Sequence, residues 1–158
     1  MEERIRFLKS AEIFSRFASD ELLYLAQNCE SGKYALGDTL VCAGDMGKGL
    51  YLVRSGRIRL FSEKGGKETS VGICEPGDSF GELSLMKEAN SAYSARASDD
   101  SEVLFFPKDI IDRLMKGNAG VREHLTKYIV MKVCGNILIP MFHLRSGFSA
   151  EEISEIVR

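Results

Sequence analysis

The sequence has no long apolar run, no block of like charges, no close pair of cysteines and only two histidines. Each absence removes a class of function. The apolar stretch Ile137-Leu138-Ile139, up to Pro140, is far too short to cross a bilayer, and the charged opening Met1-Glu2-Glu3-Arg4 lacks the layout of a signal peptide. A cytoplasmic protein with no membrane partner is expected. With 21 Lys+Arg against 23 Asp+Glu and no basic stripe, nucleic acid is not an expected partner either. Cys29, Cys42, Cys74 and Cys134 are scattered without ligand or redox spacing, so reduced thiols and no metal are expected.

What is present is a chain of 158 residues, 44% hydrophobic, enough for one compact domain. The first part reads as helix, through Ile5, Leu8, Ile13, Phe14 and Phe17, then Ser19 as N-cap of a stripe Leu22, Leu25, Ala26. From Gly37 glycines recur at short intervals between apolar or alternating segments, the pattern of successive β-hairpins. Leu50-Tyr51-Leu52-Val53, Arg54-Ser55-Gly56 and Arg57-Ile58-Arg59-Leu60-Phe61 form the clearest one, and Glu75-Pro76-Gly77-Asp78 has the order of a type II turn. Gly44-Asp45-Met46-Gly47-Lys48-Gly49 lacks the spacing of a nucleotide-triphosphate loop and reads as a turn. After Pro107 the helical period returns, and from about Val121 to Ile139 a longer helix is apolar over most of its girth around Tyr128, Met131, Val133, Cys134 and Ile137. Such a helix is expected to form a homodimer or to dock a partner protein. The order predicts an α+β domain over residues 1–145, with a helical lead-in (1–32), an antiparallel β-roll or barrel (33–107) and C-terminal helices (108–139). A short helical tail (146–158) follows.

One segment stands apart, Gly77-Asp78-Ser79-Phe80-Gly81-Glu82-Leu83-Ser84-Leu85-Met86, followed by Asn90-Ser91-Ala92-Tyr93-Ser94-Ala95-Arg96-Ala97. A glycine opening a short helical turn exposes free N–H groups suited to an anion, and Glu82 beside it is a candidate acceptor for sugar hydroxyls. Together with Lys33-Tyr34-Ala35-Leu36-Gly37-Asp38, Gly44-Asp45, Leu50-Tyr51-Leu52-Val53, Ser55-Gly56-Arg57 and Glu75-Pro76-Gly77-Asp78, in this order, the segment resembles the cyclic nucleotide-binding domain of catabolite-activator-type regulators, cyclic-nucleotide-dependent kinases and cyclic-nucleotide-gated channels. The resemblance implies a jelly-roll-like β-roll (double-stranded β-helix) with flanking helices and a regulatory, non-enzymatic role. It also implies a phosphate-binding cassette at Gly81, Glu82, Leu83 and Ser84, with the amides near Leu83 and Ser84 facing the cyclic phosphate and Glu82 the ribose 2′-hydroxyl. Ser91, Ala92 and Tyr93 would add further contacts, and no cofactor is implied beyond cAMP or cGMP as ligand.

The chain departs from the family pattern at Ser91, where the resemblance implies an arginine that neutralises the phosphate. A hydrogen bond to a charged group contributes roughly 1.5–3 kcal/mol, so its loss costs on the order of 10–100-fold in affinity. Tyr93 is also larger than the small residue usual there. Arg96 and Lys87 are weak substitutes: Arg96 lies roughly 16 Å from Ser91 along an extended strand. Three readings stand at this point. The domain binds a cyclic nucleotide weakly; or it is degenerate, serving another ligand, dimerisation or protein contact; or it is a cupin-type enzyme. The third needs metal ligands inside the roll, and His124 and His143 both follow it.

Overall fold

The computed structural model describes residues 1–85 and 90–133. Helices α1 (Glu2–Ser10) and α2 (Ser19–Asn28) come first, joined through a 3₁₀ turn at Glu12–Phe14. The cap of α2 is Ala18, not the expected Ser19. The Ala18 N–H donates to Glu21 Oε1 at 2.7 Å, so the carboxylate of the first turn does the work that a capping side chain at the helix entrance would share.

Eight strands follow: β1 (Glu30–Tyr34), β2 (Thr39–Val41), β3 (Gly49–Ser55), β4 (Ile58–Lys64), β5 (Lys67–Cys74), β6 (Ser79–Phe80), β7 (Ser94–Ala97) and β8 (Ser101–Pro107). A second 3₁₀ turn, Glu82–Leu85, lies between β6 and β7. The strands form two antiparallel sheets, ordered β1-β8-β3-β6 and β2-β7-β4-β5. The first strand starts inside the stretch predicted as helical lead-in. Glu30-Ser31-Gly32-Lys33-Tyr34 has little strand character of its own, and pairing with β8, from Glu30 opposite Phe105 to Tyr34 opposite Ser101, decides its conformation.

Helices α3 (Lys108–Gly117) and α4 (Ala119–Val133) close the described chain. Asn118 starts α4 by accepting from the Val121 N–H at 3.1 Å, while its amide donates to Glu21 Oε2 at 2.9 Å and so ties α4 to α2. The rest of the helix expected to Ile139, the tail 146–158, Lys87, Cys134 and His143 lie outside the described residues. None of the described helices is long and apolar enough to cross a membrane.

Within the β1-β8-β3-β6 sheet, strands β3 and β8 are covered on both faces, which explains their near-continuous apolar runs. Alternate residues part to opposite sides: Leu50, Leu52, Leu104 and Phe106 join the helices, where Phe14, Leu25, Ile111, Leu125 and Ile129 are buried. Val53 and Val103 turn the other way, into the roll, with Phe80 of β6 and against Ile58, Leu60, Ala95 and Ala97 from the second layer. The β3–β4 turn depends on Gly56. Its φ is +83°, and a Cβ there would lie 2.2 Å from Ser101 Oγ and 2.5 Å from the Asp100 carbonyl oxygen. Gly56→Ala therefore combines left-handed strain with overlap and is expected to destabilise the fold by at least about 2 kcal/mol. Urea denaturation checks this, and an unshifted midpoint would show that the turn is not constrained as described.

Candidate functional site

The cassette begins where β6 ends. Gly81 has φ +84°, and a Cβ on it would lie 2.8 Å from the Gly49 carbonyl oxygen, so only glycine lets the chain turn here against β3. Ser84 fixes the turn, its Oγ lying 2.7 Å from Gly81 O and 2.9 Å from Gly49 O with one proton between them. Tyr51 of β3 stacks on Phe80 with ring centroids 4.8 Å apart. Opposite, Tyr93 reaches in from the segment before β7, and its hydroxyl oxygen accepts the Gly81 N–H at 2.8 Å. Ser91 is engaged with its own backbone: its Oγ donates to Tyr93 O at 2.6 Å.

These residues enclose a cavity of about 120 Å³, lined by Gly81, Leu83, Ser84, Ser91, Ala92 and Tyr93 together with β3. A second cavity, of about 200 Å³, lies beyond Tyr93 and is lined by Leu60, Cys74, Ser79, Glu82 and Lys132. Tyr93 lines both and separates them.

A sequence profile of the family described as "Cyclic nucleotide-binding domain" matches residues 32–118. The chain belongs to that family. It is 36% identical over 98 residues to the cyclic AMP receptor protein of Thermus thermophilus, covering 61% of this chain and 45% of that one. It is 33% identical over 126 residues to a cAMP-dependent protein kinase regulatory subunit of Hypocrea atroviridis, covering 80% and 26%. The chain thus spans less than half the length of either curated relative. Among solved structures, the regulatory subunit of a cAMP-independent protein kinase A from Trypanosoma cruzi, bound to guanosine, superposes with a TM-score of 0.76 at 18% identity over 92% of this chain and 50% of that one, a likeness of fold.

In this cyclic nucleotide-binding domain the sequence-predicted site residues divide between the two cavities. Gly81, Leu83, Ser84, Ser91, Ala92 and Tyr93 face the first, whereas the Glu82 carboxylate lies on the second, with Tyr93 shared. Glu82 is 2% exposed, and its Oε1 accepts from Ser79 Oγ at 2.7 Å and pairs with Lys132 Nζ of α4 at 2.8 Å. Lys132 also donates to Ser79 Oγ at 3.0 Å and to the Ser79 carbonyl. Lys132 is absent from the sequence-based site, although one signal was present: it is the lone charge in the apolar stretch from Tyr128 to Ile139. Arg96 is held elsewhere, 3.0 Å from Glu68 and against the Phe61 ring, 4.5 Å from its centroid.

The interior of the site holds three groups whose protonation is shifted in one direction. Burial pushes the Cys74 thiol up to about 12. Burial also raises Tyr93, with the Glu82 charge adding to it. For Lys132 burial acts against the charge, but the Glu82 carboxylate outweighs it and the ammonium is raised. All three bind their protons more tightly folded than unfolded, so their contribution to stability is whole below the unfolded values, the lowest being 9.0 for the thiol, and is lost as pH rises through the folded ones. The urea midpoint is expected to fall from about pH 9 upward, and Cys74→Ala to make that fall shallower. Parallel curves for the two proteins would remove Cys74 from the account.

Proposed function

We propose that this domain is a regulatory, non-catalytic ligand-sensing module whose small ligand enters the cassette cavity, and that it holds cAMP or cGMP only weakly. The observation that carries the reading is the convergence of Gly81, Leu83 and Ser84 with Ser91, Ala92 and Tyr93 around one cavity behind a left-handed glycine. Weak binding follows from the same residues. At about 120 Å³ the cavity lies below the roughly 300 Å³ at which small-molecule sites usually begin. The Tyr93 hydroxyl holds the Gly81 amide that an anion would need, and Ser91 offers a neutral hydroxyl already turned onto Tyr93 O.

Calorimetric titration with cAMP and cGMP tests this. The unmodified protein is expected to bind weakly or not at all, and Ser91→Arg to gain roughly tenfold or more through a planar, charged fork suited to phosphate oxygens. If the Tyr93 ring excludes the ligand, the gain requires Tyr93→Ala as well. Tight binding by the unmodified protein, unaffected by Ser91→Arg, would overturn the reading.

A second role, as a homodimer or a docking module for a partner protein, is favoured by α4. Met131 is 61% exposed there, one turn from the half-buried Tyr128. Sedimentation at high concentration is expected to show a dimer that Met131→Glu weakens; a strict monomer in both proteins removes the homodimer.

A further inference from the structure

The family resemblance implies a cation near the cassette at the place of Ser91, while Arg96 is bound to Glu68 on another face. Lys132 supplies one from a different direction. Its ammonium reaches in from α4 to Glu82, the residue between Gly81 and Leu83, and is 17% exposed at the side chain. Lys48 also lines the first cavity but is exposed, where a charge is screened and contributes little.

Tyr93 is the wall between the two cavities, and its only described anchor at the hydroxyl is the Gly81 amide. Were the ring turned off that amide, the cavities on its two sides, about 120 and 200 Å³, would open to each other. That would also bring Glu82 and Lys132 into the same space as Gly81, Leu83 and Ser84. We infer that Lys132 is the countercharge of an anionic ligand in this joined site, taking the place that Ser91 leaves neutral. The inference rests on the ligand-sensing reading above.

The Lys132 ammonium has three donors, so it keeps Glu82 Oε1 and turns one donor from Ser79 to a ligand phosphate, which also takes Tyr93's place at the Gly81 N–H, while Glu82 accepts the hydroxyl of a ligand sugar. A lysine suits this better than a fixed fork, because its ammonium rides on a flexible four-carbon stem and its three donors rotate. A phosphorylated nucleoside with a free ribose hydroxyl fits the donor set, and the same nucleoside without phosphate lacks the group that Lys132 recognises.

The test compares cAMP with adenosine by calorimetry in full-length Tyr93→Ala, with and without Lys132→Gln or Lys132→Arg. Lys132→Gln is expected to weaken cAMP on the order of tenfold or more and to leave adenosine unchanged, while Lys132→Arg retains cAMP. Should Lys132→Gln fail to fold because Glu82 is left buried and alone, Glu82→Gln with Lys132→Gln removes both charges and keeps the comparison of the two ligands. Equal losses for cAMP and adenosine, or a cAMP affinity untouched by Lys132→Gln, overturn the assignment of Lys132. Binding of neither ligand by Tyr93→Ala, alone or combined with Ser91→Arg, overturns the ligand-sensing reading and this inference with it.

Discussion

Two glycines on neighbouring strands of one sheet, Gly49 at the start of β3 and Gly81 just after β6, set the position of everything around the cassette. A Cβ on Gly81 would lie 2.8 Å from Gly49 O, and one on Gly49 would lie 2.2 Å from Phe106 O, so three backbones come together with no side chain between them. That closeness lets Ser84 clamp the turn onto β3 and lets Leu85 reach the helical core beside Leu125 and Ile129. The cassette is therefore joined to both cores of the molecule. Its left-handed entry is a fixed point of the packing and not a loose loop conformation.

The Glu82–Lys132 pair is the second joint, and it works differently. Burying two charges costs several kcal/mol per ion before their attraction is counted, so such a pair is weak evidence of stability. Here Lys132 donates to Ser79 Oγ and the Ser79 carbonyl as well as pairing with the carboxylate, and Glu82 Oε1 also accepts from Ser79 Oγ. Its physical effect is positional. It holds α4 to β6 and the cassette, and either charge left alone in that space would be costly.

Much of this was legible in the chain because the signals are local. A turn such as Arg54-Ser55-Gly56-Arg57, or Glu75-Pro76-Gly77-Asp78 with its Asp78 N–H to Glu75 O bond of 2.9 Å, is written in residues that few other conformations accept. The run Leu50–Val53 reads as one arm of a hairpin, and it lies in β3. The start of β1 was hidden, since Glu30 to Tyr34 becomes a strand only through β8, far along the chain. The neutral hydroxyl of Ser91 was readable, but the posture of Ser91 and Tyr93 was not, because it depends on where the Gly81 amide points. Lys132 showed in the chain only as a lone charge in an apolar stretch, since its hydrogen bond to Ser79 joins residues 53 positions apart.

The two sheets do not close on themselves, and their order leaves four outer strands: β1 and β6 on one, β2 and β5 on the other. Unpaired strand margins are templates on which further chains can add, leading to fibres or precipitate. Each margin here carries its own deterrent. β6 is two residues long and β2 three, β1 carries Glu30 and Lys33, and β5 opens with Lys67 and Glu68. An open roll built in this way resists edge-to-edge aggregation without the closure of a barrel.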